Sequence, residues 1–198
     1  DIIGIPNNPL IANINWSPNQ KNIAFTNTSS DGVRLWVLNL ESRSLTKLSD
    51  LKLNSNIGDV INWVNDNEII VKVIPENKQN LIDQDGIVPM GPTISSNEGE
   101  NAQNRTYQDL LKNKTDEFNF EQLVTSDLYL INLNGKTQKW LDADMYTSIS
   151  PSPDGNFIMV SNIKKPFSYI VTYGRFPRTT NIYNYEGKII SNLANTPL

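Results

Sequence analysis

Along this chain apolar and polar positions alternate in short runs. Leu10 to Trp16 alternates, Asn22 to Thr28 carries Ile23-Ala24-Phe25, Val33 to Leu40 is a longer run, and Ser44 to Leu48 a short fourth. Turn-forming residues separate them: Ser17-Pro18-Asn19, Ser30-Asp31-Gly32 and Glu41-Ser42-Arg43. Alternation with a period of two marks a strand with one buried face, and frequent turn signals between such runs predict an antiparallel meander.

The pattern then recurs. Asp59 to Val64 leads through Asn65-Asp66-Asn67 into Glu68 to Ile74. Leu128 to Leu133 matches Leu35 to Leu40 and is predicted to turn back at Asn134-Gly135, a two-residue hairpin in which both positions tolerate positive φ, into Thr137 to Leu141. A third round opens with Ile149 to Val160, which aligns with Ile14 to Phe25, and Ile182 to Ile190 repeats the Leu130 hairpin with Gly187 at the turn. Trp16 and Trp63 fall one propeller blade apart, a spacing of about 40–50 residues.

The expected fold is therefore all-β: a partial β-propeller of about three four-stranded antiparallel blades with a loop-and-short-helix insertion. Residues 1–198 are read as one domain, with blade one at about 10–50, blade two at about 57–142 and blade three at about 146–198. The insertion, about 75–126, breaks blade two. Within it, Ile82 to Asn101 reads as loop, Thr106 to Lys112 as a short helix, and Thr115 to Leu123 as a second one offering Phe118, Phe120 and Leu123. Long insertions of this kind tend to carry function. Closed propellers have about 4–8 blades, so this sequence is expected to be part of a longer chain and to self-associate through exposed blade faces.

Composition narrows the function. There is no histidine and no cysteine among 198 residues. The usual base for activating a serine, thiolate nucleophiles and the commonest zinc ligands are all absent. No pair of glycines has G-x-S-x-G spacing, and no phosphate-binding glycine loop is present. No catalytic residue, cofactor or metal is expected. Net charge is -4, with no stripe of Lys and Arg, which argues against nucleic acid. Mean hydropathy is -0.41, and no apolar run approaches the length of a membrane span. The chain begins at Asp1 rather than methionine, so its original N-terminus is expected to have been removed, and a missing leader carries no information. Abundant Asn, Ile and Lys fit an AT-rich bacterial genome.

Three groups of residues invite a chemical reading. Asp83-Gln84-Asp85-Gly86 resembles the start of a calcium loop, but Ile94 stands where the closing glutamate is needed. Asp142-Ala143-Asp144 is a second acidic pair, and a solvated turn is the plain reading of both. Trp16, Trp36, Trp63 and Trp140 recur at strand positions, where packing between blades is the plain reading. The cluster Lys164-Lys165, Arg175 and Arg178 includes an arginine set among aromatics, Tyr173-Gly174-Arg175-Phe176-Pro177, able to clamp a carboxylate with two hydrogen bonds.

Several irregular segments then match together: Met90 to Gly99, Arg105-Thr106-Tyr107-Gln108-Asp109-Leu110-Leu111, Tyr146 to Gly155, Pro166 to Val171 and Gly174 to Pro177. In this order they resemble the N-terminal propeller of the glutamyl endopeptidase and aminoacyl peptidase branch of the prolyl oligopeptidase family, most clearly from about residue 87 to 198. The resemblance implies a longer serine peptidase whose C-terminal α/β-hydrolase domain holds the catalytic triad, while the propeller gates or orients peptide substrates. It implies a substrate-binding role for Arg105 and Arg175, toward an acidic side chain. Exported bacterial relatives lean the location toward periplasmic or secreted. The competing expectation is a stand-alone protein- or ligand-binding propeller, a TolB-like scaffold.

Overall fold

A computed structural model describes residues 2–83 and 110–198 of the chain. Its strands form three four-stranded antiparallel sheets, each a meander. The first holds β1 (Leu10–Trp16), β2 (Asn22–Ser29), β3 (Gly32–Asn39) and β4 (Ser44–Lys47). The second holds β5 (Ile61–Asn65), β6 (Glu68–Val73), β7 (Ser126–Asn132) and β8 (Thr137–Asp144). The third holds β9 (Tyr146–Pro151), β10 (Phe157–Ile163), β11 (Arg178–Asn184) and β12 (Ile189–Thr196). Among the described residues, one α-helix, α1 (Lys114–Val124), interrupts the second sheet between β6 and β7, close to the second helix that the sequence predicts. The Thr106 to Lys112 helix and the loop reading of Ile82 to Asn101 lie largely outside the described residues.

The sheets stack face to face. Ala24, Leu35, Val37 and Leu48 of the first pack against Ile61, Trp63, Ile69, Val71 and Val73 of the second. On its other side, the second sheet sets Ile70, Leu128, Leu130 and Trp140 against Tyr146, Ile149, Ile158 and Val160 of the third. The middle sheet is thus covered on both faces, which is why β6 reads Glu-Ile-Ile-Val-Lys-Val rather than alternating. Each valine, leucine and isoleucine among them contributes roughly 1.5–3 kcal/mol when it leaves water. Neighbouring sheets approach at their first strands, β1 to β5 and β5 to β9, as blades converge on an axis. Indole hydrogen bonds join them: Trp63 Nε1 donates to the Asn15 carbonyl at 3.0 Å, and Trp140 Nε1 to the Tyr185 carbonyl at 2.8 Å.

Two expectations need correction. Trp16 is not core: it is 55 % exposed, because it faces the side of the first sheet on which no further sheet is stacked. Trp36 is half-buried, while Trp63 and Trp140 are buried as expected. The Asn134-Gly135 turn is not a two-residue hairpin with two positive φ angles. Its loop is Leu133-Asn134-Gly135, closed by Gly135 N to the Asn132 carbonyl (2.9 Å) and Asn132 N to the Lys136 carbonyl (3.1 Å), and only Gly135 has positive φ, +80°. The same loop recurs at Gly187, where the sequence places the repeat.

The alignment of Ile14–Phe25 with Ile149–Val160 extends to atoms. Ser17 and Ser152 each accept a turn-closing backbone bond, from Gln20 N at 2.8 Å and Gly155 N at 2.9 Å. Gln20 adopts φ +59° where its counterpart Gly155 has +71°. A side chain in this left-handed region costs about 1–2 kcal/mol.

Candidate functional site

Long connections leave the second and third sheets at the same end, since both join a second strand to a third: residues 74–125 between β6 and β7, and 164–177 between β10 and β11. The helix of the first connection docks on the second. Asn113 caps α1 by accepting from Asp116 N at 2.8 Å, and Asp116 and Glu117 place negative charge in its first turn. At the other end, Asn54 Nδ2 donates to the Leu123 and Thr125 carbonyls at 2.9 and 3.0 Å, and Asn56 Nδ2 to Leu123 at 2.7 Å. These bonds satisfy carbonyls that a helix end leaves unpaired.

Between the connections lies an aromatic cluster. Phe120 of α1 meets Phe167 and Phe176 edge-on, with ring centroids 5.2 and 5.7 Å apart, and Phe167 stacks on Phe176 at 5.3 Å. Val124, Met145 and Ile163 complete the buried cluster. Of the apolar residues read into this helix, Phe120 and Leu123 join the cluster and Phe118 does not. Ion pairs lock its rim. Lys165 reaches Glu121 at 2.7 Å, and Lys164 reaches Asp144 at 2.7 Å. Tyr169 donates to Glu117 at 2.6 Å, which, with Lys114, holds the Glu117 carboxyl below its ordinary range and in turn raises the Tyr169 hydroxyl.

Beside this cluster is a pocket of about 220 Å³ lined by Leu110, Leu111, Phe120, Val171, Tyr173 and Phe176. It falls below the 300–1,000 Å³ of a typical small-molecule site and suits a single side chain. Arg175 closes the single 3-10 turn Tyr173–Arg175 on the segment that lines it. That arginine is exposed and pairs with no described acid. The rest of the basic cluster is occupied: both lysines sit in the ion pairs above, and Arg178 donates to the Tyr173 carbonyl at 3.4 Å. Arg105 lies outside the described residues.

A second cleft, about 610 Å³, is lined by Glu76, Asn77, Asp127, Tyr129, Lys139 and Asp142. Lys139 bridges Asp127 (2.8 Å) and Asp142 (3.1 Å), which pushes its ammonium pKa up. The pair Asp142 and Asp144 is therefore not a free turn. Asp142 serves Lys139, while Asp144 binds Lys164, the Asn162 amide and Met145 N. Asp85 and Gly86 of the other acidic pair lie outside the described residues, and no cluster of three metal-ligating side chains occurs among those described. The described site therefore sets an aromatic wall and a small apolar pocket beside a guanidinium that has no acid partner among the described residues. The aromatic wall escaped sequence reading in part because Phe120, Phe167 and Phe176 are far apart in the chain and follow no repeat.

No family model matches the sequence. Among curated proteins, the chain is 37 % identical over 205 residues to a probable chloroplastic glutamyl endopeptidase of Oryza sativa subsp. japonica, covering 98 % of the chain and 22 % of that protein. It is 32 % identical over 207 residues to the protein of the same name from Arabidopsis thaliana, covering 100 % and 21 %. The chain thus spans about a fifth of these relatives, and the similarity runs through the first sheet as well as the later segments. Among solved structures, a putative TolB from Agrobacterium tumefaciens matches with a TM-score of 0.52 at 9 % identity, over 91 % of the chain and 47 % of that structure, a likeness of fold alone.

Proposed function

We propose that this chain, a homologue of the N-terminal part of the plant glutamyl endopeptidases, is the propeller portion of a serine-type peptidase, and that it orients or gates peptide substrates for a hydrolase domain outside residues 1–198. The observation that carries this reading is the 37 % identity extending over 98 % of the chain. The composition supports it: with no histidine, a Ser-His-Asp triad must be supplied by another part of the protein. On this reading the three sheets are blades at about 10–50, 57–142 and 146–198 of one domain, and the segment about 75–126 is an insertion placed to meet the substrate. A bacterial source rests on composition only, since the relatives named above are from plants.

Arg175 is the residue proposed to read an acidic substrate side chain, because it is exposed and free of described acids beside a side-chain-sized pocket. In a full-length peptidase carrying this propeller, Arg175→Ala should raise KM for glutamyl substrates roughly tenfold, about 1.4 kcal/mol, and leave kcat within twofold. Equal effects on glutamyl and neutral substrates would remove Arg175 from recognition. The other reading, a stand-alone binding propeller, is favoured by the fold likeness to TolB. It predicts that the full open reading frame contains no nucleophile elbow.

A further inference from the structure

The apolar pocket beside the aromatic cluster is no place for the acidic side chain that Arg175 is proposed to read. Its walls are the rings of Phe120, Tyr173 and Phe176 with the aliphatic Leu110, Leu111 and Val171, and no charged side chain lines it. A carboxylate placed there would give up its water and gain no partner. Arg175 itself is exposed. The guanidinium and the pocket therefore suit two different groups of one ligand.

Size and shape name the second group. An apolar cavity of about 150 Å³ takes up a benzene ring. At about 220 Å³, this pocket has room for a phenyl group and its methylene, and Tyr173, 47 % exposed, keeps one wall open to solvent. The other rings are set in advance. Phe176 is 2 % exposed and stacks on Phe167, and Phe120 meets both of these edge-on. Tyr173 lies 6.2 Å from Phe120 with the two rings inclined at 39°. Rings held at such different angles offer an incoming aromatic group both faces and edges, the contacts that aromatic pairs favour.

One short turn carries both features. The 3-10 turn Tyr173–Arg175 is closed by Arg175 N to the Thr172 carbonyl at 2.9 Å and by Phe176 N to the Tyr173 carbonyl at 3.2 Å. Arg175 thus lies in the chain between two pocket residues, Tyr173 and Phe176. Groups bound at the arginine and in the pocket then belong to residues close together in a ligand's chain.

We infer that this end of the sheets recognises a paired feature of a peptide: an aromatic side chain in the pocket, one or two positions from a glutamate held by Arg175. This deepens the peptide-orienting reading above and rests on it.

Capped alanine-based peptides with one glutamate, and with phenylalanine one or two positions to either side of it, are titrated into the intact protein by calorimetry. Any nucleophile-elbow serine is replaced by alanine to prevent cleavage. At least one placement should bind about tenfold more tightly than the peptide with alanine in place of phenylalanine. Val171→Trp, which fills the pocket, should bring that ratio to within about twofold and keep the preference for glutamate over glutamine, with unchanged far-UV circular dichroism. Leu111→Ala, which widens the pocket, should move the preference from phenylalanine to tryptophan. Equal binding of the phenylalanine and alanine peptides, no binding of either, or a preference that survives Val171→Trp would overturn the inference and leave the pocket to another part of the protein. The reading beneath it fails separately. A full open reading frame with no nucleophile elbow removes the peptidase assignment, and an Arg175→Ala protein that still prefers glutamate removes that arginine, while the phenylalanine ratio is read in either case.

Discussion

Lys72 is the residue whose surroundings most oppose its charge. It is 1 % exposed, on the side of β6 that faces the third sheet, and its ammonium donates to the Ile57 carbonyl and, at 3.5 Å, to that of Tyr146. Burial lowers its pKa to about 8, against a smaller opposing pull from Asp59. Below pH 8 both folded and unfolded chains hold this proton, and the shift costs roughly 3 kcal/mol of stability. Between pH 8 and the ordinary lysine value of 10.5 the unfolded chain binds more protons, so stability rises with pH. Above about pH 10 the raised hydroxyls of Tyr146 and Tyr185 turn the trend downward, because the unfolded tyrosines ionise first. Urea midpoints measured from pH 7 to 10 should therefore climb. Lys72→Met should flatten that climb and raise the pH 7 stability by about 1 kcal/mol, since an apolar group of similar volume commonly replaces a buried charge at no loss. A variant that still climbs would clear Lys72 of responsibility.

At the scale of elements, α1 is held by its docking rather than by its own sequence. It carries one fully buried residue, Val124, so Phe120 and the Asn54 and Asn56 bonds must do most of the fastening. Phe120→Ala should cost about 2 kcal/mol locally, less than a fully buried phenylalanine because the ring is only half-buried. Amide exchange across Lys114–Val124 should then quicken by roughly 30-fold while β5 and β6 keep their protection. Global loss of protection would mean instead that the helix is integral to the stack. The strands were largely legible in the sequence, because a sheet with one covered face must alternate, and the Ile14 and Ile149 rounds align residue for residue. The turns were less so: Asn134-Gly135 looks like a two-residue hairpin, yet Leu133 joins the loop, a difference of register that alternation cannot fix. Trp16 was misread because its type signals burial while its fate depends on whether a neighbouring sheet is present. Lys72 sat unnoticed in an apolar strand, since pattern alone does not reveal that both faces of β6 are covered.

Among the described residues, the sheets form a one-dimensional stack in which only the middle one has neighbours on both sides. Stability in such arrays is a sum of unit and interface contributions, so the ends open first. Hydrogen exchange should rank β6 and β7 slowest, with β12 fastest, every residue of which is exposed. Uniform protection from end to end in a monomeric sample would contradict this ranking. The same arrangement explains why candidate recognition residues gather where they do. Blade geometry is fixed by repeated packing, whereas the segments that depart from the repeat are left free to vary at one end of the sheets.

The β6–β7 pairing carries a practical consequence. Val73 meets Asp127, and the ladder runs unbroken to Glu68 and Asn132, although residues 74–125 intervene. Closing a flexible loop costs only about 0.6 kcal/mol more for each doubling of its length. The hairpin is thus nearly indifferent to the length of its tip, though not to α1 within it, whose Phe120, Leu123 and Val124 cover Phe167 and Phe176. Evolution or an engineer can graft a reporter or sever the backbone between β6 and α1 and let the two pieces reassociate, so long as Lys114–Val124 keeps its docking.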